Sequence, residues 1–131
     1  MPASNYVKEN TLAAWLNGQA LTLPPSLYVG LFLTNPGANN SGTEVSGSGY
    51  ARATLQPTAP SISGDLAVCS NNAVVQFNEA TGAWGTPTYF GVFDALTGGN
   101  LLFYGSLPTT FAVTAGMAPK FNIGELRITA N

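Results

Sequence analysis

Histidine is absent from the sequence, and cysteine and charged residues are scarce. Without an imidazole, the chain can form neither a Ser-His-Asp nor a Cys-His catalytic arrangement, and it lacks the commonest metal ligand. The single cysteine, Cys69, excludes an intramolecular disulfide framework and gives no indication of an oxidising compartment. We expect it to be a buried, small apolar residue.

The low charge matches neither a membrane protein nor a disordered one. Charged residues make up 8% of the sequence, against roughly 25% in typical domains. No apolar run approaches the ~20 residues of a membrane-spanning helix, and a hydrophobic fraction of 45% is too high for disorder. The net charge is −2 and the four basic residues do not cluster, so we predict no nucleic-acid partner. The lack of a long apolar run predicts no membrane contact. Met1–Asn5 lacks the features of a secretory signal, which indicates synthesis in a cytoplasm.

What is present is a large apolar fraction covered by uncharged polar residues. Ser, Thr, Asn, Gln and Gly must form most of the surface, and such a surface is easier to dehydrate than a layer of ions. This composition favours a protein whose surface is covered by neighbouring proteins; a weakly charged monomer is the alternative. The length of 131 residues predicts a single domain over residues 1–131.

The N-terminal part, residues 1–18, is predicted to be a helix. Ser4 or Asn5 can cap it, and Gly18 stands where a left-handed terminator belongs. The apolar residues at i, i+3, i+4 spacing are Leu12, Trp15 and Leu16. Gln19–Pro25 is predicted to be a connector, since consecutive prolines end a helix.

Residues 26–131 are predicted to be a β-sandwich. The predicted strands are Leu27–Leu33, Tyr50–Leu55, Ala73–Phe77, Thr88–Phe93, Asn100–Leu107, Phe111–Val113, Phe121–Ile123 and Leu126–Ile128. Ala38–Gly49 and Gln56–Gly64 read as irregular segments, and the loop with Gly98 and Gly99 pairs the fourth and fifth strands. Turns recur about every ten residues, as in antiparallel sandwiches and barrels. The predicted fold is mainly β: an antiparallel, jelly-roll-like β-sandwich with a short N-terminal helix.

No residue pattern predicts catalysis. The carboxylates are Glu9, Glu44, Asp65, Glu79, Asp94 and Glu125, and they are spread singly, whereas a glycosidase needs a facing pair. Gly47–Arg52 lacks the Lys-Ser/Thr ending of a phosphate-binding loop. We therefore predict that the chain is not an enzyme, with no catalytic residues, no cofactor and no metal.

Aromatic residues could form either a core or a binding surface. Tyr89–Phe93 and Leu101–Tyr104 could form a carbohydrate-stacking platform, but alternation along a strand sends half of each to the core. The core interpretation is favoured.

Four segments form a recognisable pattern through their order and spacing. They are Leu27–Phe32 with Thr34–Gly37, Thr43–Arg52, Ala83–Asp94 and Gly98–Gly105. Together they resemble a family of small tailed-phage virion proteins, labelled tail fibre proteins and, in some phages, capsid cement or decoration proteins. The likeness covers most of the chain; Asn35, where an Asp is expected, and Met117–Lys120, which alternates less than expected, depart from it. The resemblance implies no catalytic residues.

The resemblance implies a structural protein of the virion, located in the capsid or alternatively in the tail. We predict a capsid cement or decoration protein that stabilises the head lattice, because the chain has no heptads or fibrous repeats to build a shaft. The alternative is a tail fibre or tail adaptor involved in host attachment. The expected partners are the major capsid protein or other virion proteins, and further copies of the chain in a homo-oligomer. The candidate interface residues are Trp15, Tyr50, Arg52 and Trp84, although either Trp could instead be core.

Overall fold

The fold is mainly β with one short N-terminal helix, as predicted from the sequence. The computed structural model describes residues 3–21, 23–64 and 66–130. Its elements are α1 (Asn5–Leu16), β1 (Leu27–Phe32), β2 (Ala53–Leu55), β3 (Ser61–Ser63), β4 (Leu66–Ser70), β5 (Val75–Gln76), β6 (Tyr89–Phe93), β7 (Leu101–Ser106), β8 (Lys120–Phe121) and β9 (Arg127–Ala130). Residues 1–2 and 131 of the predicted ranges, and the candidate carboxylate Asp65, lie outside the described residues.

The described strands form three antiparallel sheets. Their orders are β2-β1-β6-β7, β3-β4-β9 and β5-β8. One face of the four-stranded sheet shares a core with residues of both smaller sheets, which is the arrangement expected of a sandwich.

The hairpin with the strongest sequence signal is present in the structure. The predicted hairpin is formed by β6 and β7, with a register shift between Val92 and Phe93. In the last predicted strand, Leu126 and Ile128 are buried and Arg127 is exposed. Two predictions are wrong. Gln56–Gly64 was expected to be irregular but contains β3. Phe111–Val113 was expected to be a strand but contributes only an isolated bridge between Val113 and Gly85.

The central strands are buried on both faces, which explains why β1 is a continuous apolar run. Val29 and Leu31 face the main core, together with Phe90 and Val92 of β6. On the opposite face, Phe32 stacks on Phe93 with ring centroids 5.9 Å apart. This second face packs with Leu101 and Tyr104 of β7. The aromatic strands therefore form core, the interpretation favoured from the sequence.

A fully buried asparagine joins two turns. Asn71 is 0% exposed, and its Nδ2 donates to the carbonyl oxygens of Ala73 at 2.9 Å and Asn122 at 2.8 Å. Its Oδ1 accepts a hydrogen bond from the Leu126 N–H at 3.0 Å. The side chain thus links the turn after β4 to the turn before β9.

We expect Asn71→Ala to lower the free energy of unfolding by about 2–4 kcal/mol, because each buried polar group left unpaired costs about 1–3 kcal/mol. Urea denaturation would measure the change. The adjacent Asn72 has an exposed side chain, so Asn72→Ala should change stability by less than about 0.5 kcal/mol. Equal unfolding midpoints for the two variants would contradict the assigned role of Asn71.

The helix begins and ends at the signals seen in the sequence. Ser4 is the N-cap, and its Oγ accepts from the Val7 N–H at 3.2 Å. Gly18 follows the C-cap in the left-handed region, with φ 68°. In the part of the chain that the structure describes, no helix is long and apolar enough to cross a membrane.

Candidate interaction surface

The four candidate interface residues fall into two groups. Tyr50, Arg52 and Trp84 lie close to the core. Trp15 lies apart from them on α1 and is 83% exposed. The first group is held by contacts within the chain, whereas the second is open to a partner.

Trp84 is an internal anchor. It is 3% exposed, and its Nε1 donates to the Ser48 carbonyl oxygen at 2.9 Å. Its ring meets that of Tyr50 edge-on, with centroids 5.3 Å apart. Trp84 therefore occupies the core, the alternative that the sequence left open for both Trp residues.

Arg52 forms an ion pair with Glu44 that is largely shielded from solvent. Its Nε donates to Glu44 Oε2 and its Nη2 to Oε1, both at 2.9 Å, so the two planar groups meet in parallel. The side chains are 8% exposed for Arg52 and 22% for Glu44. Arg52 was predicted as an interface residue, and in the structure the carboxylate that it binds comes from Glu44 of the same chain.

The same guanidinium fixes the loop between β6 and β7. Arg52 Nη1 donates to the carbonyl oxygens of Ala95 and Gly98, at 2.8 Å each. Its Cζ lies 3.5 Å from the centre of the Phe93 ring, a cation–π contact. Arg52 thereby ties this loop to Glu44 and to the second face of the four-stranded sheet.

Tyr50 completes this cluster as a neutral donor. Its hydroxyl donates to Glu44 Oε2 at 2.6 Å and accepts from the Leu31 N–H at 2.9 Å. Burial, reinforced by the hydrogen bond to Glu44, raises the pKa of the Tyr50 phenol well above its ordinary value. The phenol stays protonated and so remains a donor to Oε2 of Glu44, while Arg52 Nη2 holds Oε1.

The sequence did not identify Glu44 as the partner of Arg52. The two residues are eight positions apart across a loop, a spacing that no regular element produces. A second carboxylate, Asp94, accepts from the backbone N–H of Asn100 at 2.7 Å and closes the β6–β7 loop. No group of three or more Cys, Asp or Glu side chains suited to a metal ion occurs among the described residues.

The helix α1 presents its large apolar residues to solvent. Leu12 is 59% exposed, Trp15 83% and Leu16 75%; we call these three residues the outer face of α1. The spacing of these residues predicted the helix correctly, yet no described residue of α1 is buried. The half-buried positions are Val7, Asn10, Ala13 and Ala14.

The connector also exposes large apolar residues, on the other side of the helix. Leu21 and Leu23 are 50% and 73% exposed, and they line a cleft together with Val7 and Asn10 of α1. Single exposed apolar residues are common, but three neighbouring ones on the outer face of α1 are typical of an interaction site.

A second apolar feature is a groove between the four-stranded and three-stranded sheets, which we call the intersheet groove. It encloses about 260 Å³. Its lining includes Leu27, Leu55, Cys69, Phe103 and Ile128. Cys69 was expected to be buried, but it is a half-buried free thiol in this groove.

Comparison with known proteins places the chain in a family. No curated protein matches it. A family model described as podophage GP4 fiber I protein gp80 matches residues 2–129, which is nearly the whole chain. This agrees with the resemblance to tailed-phage virion proteins seen in the sequence. The chain therefore belongs to the podophage GP4 fiber I protein gp80 family, and is a structural protein of the virion that contacts other virion proteins.

Proposed function

We propose that the chain is a non-catalytic component of a tail fibre, attached to the particle through the outer face of α1. The family description names a fiber protein. The capsid cement function predicted from the sequence has no specific support from that description, and the tail fibre alternative fits it better.

The orientation of α1 is the observation that carries the docking role. Burying a Leu side chain contributes roughly 1.5–3 kcal/mol relative to leaving it exposed. The opposite orientation of the helix would turn Leu12, Trp15 and Leu16 towards the sheet, yet they point outward while Ala13 and Ala14 are half-buried. A second protein that covers this face recovers the missing burial energy.

The helix is held in place before any partner arrives. The Ser4 N–H donates to the Leu102 carbonyl oxygen and the Asn5 N–H to that of Ala38, both at 2.8 Å. Ser4 is itself 2% exposed, so this anchor is protected from water. A surface fixed in this way loses little conformational entropy on binding, which favours affinity.

Replacing Trp15 tests this function in the particle. We expect a gold-labelled antibody against the protein to mark the tail of wild-type virions. When the Trp15→Ser protein is supplied to a phage that lacks its own copy of the protein, we expect this label to be lost. The side chain is 83% exposed, so the free energy of unfolding should change by less than about 0.5 kcal/mol.

Ile123→Ser is the matched control, since Ile123 is 64% exposed but lies outside α1. It should leave the label in place. Label over the head would contradict the tail location, and normal incorporation of Trp15→Ser would contradict the docking role of α1.

A further inference from the structure

We propose that the outer face of α1 of one copy docks into the intersheet groove of a second copy. This inference rests on the proposed function, because it assigns an occupant to the same helical face. It makes self-association one of the contacts by which the protein assembles.

The groove is apolar along its floor. Cys69 of β4 is paired with Ile128 of β9, and Ala67 is paired with Ile62 of β3. Paired residues, and residues two apart on a strand, share a face of the sheet. Ile62 is 78% exposed, so it extends the apolar floor to the open edge of the sheet. None of the described lining residues is charged.

The size of the groove suits a large side chain. Its volume of about 260 Å³ lies just below the roughly 300–1,000 Å³ of pockets that take drug-sized molecules. An uncharged, shallow space of this size fits the indole of Trp15 better than a cofactor. Trp15 is the most exposed of the large apolar residues described in the chain.

The available area is compatible with a stable pair. A buried Trp contributes about 200 Å², which is roughly a quarter of the ~800 Å² that each partner buries in a standard interface. Leu12 and Leu16 flank it on the same face of α1, and both are more than half exposed. Copies with a net charge of only −2 repel each other weakly.

Docking of α1 into the groove accounts for both exposed apolar features, whereas a pairing of two α1 helices would account for only one. Lys8, Leu12 and Leu16 are spaced by four and share one side of the helix. An antiparallel pair centred on Leu12 would place the Lys8 ammonium against Leu16 of the second copy and leave the groove exposed to water. Seating α1 in the groove covers both apolar features at once.

Sedimentation equilibrium of the purified full chain tests the interface. We expect wild type and Ile123→Ser to associate in a concentration-dependent manner. Trp15→Ser should weaken association about 30-fold or more, the loss typical of a central Trp. Ile62→Asp, which places a charge at the edge of the groove, should weaken it as well. Circular dichroism would confirm that each variant is folded.

Cross-linking distinguishes the groove from a helix pair. Leu16→Cys leaves Trp15 in place and, with the native Cys69, provides two thiols for a bismaleimide reagent. We expect covalent oligomers from Leu16→Cys and none from Leu16→Cys/Cys69→Ser. Oligomers that persist without Cys69 would show that two α1 helices meet, and would overturn the proposal.

The two proposals fail differently. A wild-type chain that stays monomeric, while Trp15→Ser is still lost from virions, would overturn the self-docking and leave the role of α1 in attachment standing. Normal incorporation of Trp15→Ser, together with concentration-dependent association through the groove, would overturn the role of α1 in attachment and leave the self-docking standing.

Discussion

Replacing Arg52 with alanine is expected to lower the free energy of unfolding by about 3 kcal/mol. The substitution leaves Glu44, which is 22% exposed, without its ion-pair partner, and breaking a buried pair in this way costs about 3–5 kcal/mol. We place the effect at the lower end because Glu44 retains some contact with water and the hydroxyl of Tyr50. The carbonyls of Ala95 and Gly98 lose a donor as well.

Urea denaturation with Arg127→Ala as the control would measure this effect. Arg127 is exposed on β9, so its removal should change stability by less than about 0.5 kcal/mol. Arg52→Lys should fall between wild type and Arg52→Ala, because an ammonium keeps the charge but cannot reproduce the two parallel hydrogen bonds to Glu44. Equal midpoints for Arg52→Ala and Arg127→Ala would show that the ion pair contributes nothing to the fold.

Trp84→Ala is expected to lower the free energy of unfolding by about 4 kcal/mol, within the roughly 3–5 kcal/mol range for removing a large buried aromatic. The indole is 3% exposed and contacts the ring of Tyr50. Trp84→Phe should cost less, about 1–3 kcal/mol, because it keeps an aromatic ring but leaves the Ser48 carbonyl without its donor.

Trp15 provides the matched control for Trp84. Trp15→Ala removes the same side chain from a position that is 83% exposed, so thermal and urea midpoints should stay near those of wild type. We therefore expect the loss of Trp84 to affect folding and the loss of Trp15 to affect assembly. A large loss of stability for Trp15→Ala would mean that α1 packs on the sheet through its outer face.

The sequence predicted the elements that carry a strong local signal. The β6–β7 hairpin has apolar residues on both sides of a loop with Gly98 and Gly99. This pattern can be recognised from the local sequence, without knowledge of tertiary contacts. Strands β3 and β4 were missed. β3 is three residues long and all three residues are exposed, so no buried apolar residue marks it. β4 is a short apolar run, Leu66–Ser70 with Val68 at its centre, whose partners β3 and β9 are set by tertiary pairing.

The candidate site was harder to predict, because its geometry depends on tertiary contacts. Trp15 and Trp84 are chemically the same, and only the fold decides that one is exposed and the other buried. The helical spacing of Leu12, Trp15 and Leu16 predicts a shared face but does not say which way that face points. Glu44 meets Arg52 through a loop whose course no periodic pattern specifies.

The backbone anchor of α1 has a consequence for how the family can diversify. Because the helix is attached through backbone groups of Ser4 and Asn5, and none of its described residues is buried, its solvent-facing positions can mutate without harming the fold. If α1 docks as proposed, substitutions there would change which protein it recognises while the scaffold keeps its stability. The helix would then be a region where new binding preferences can evolve independently of the rest of the molecule.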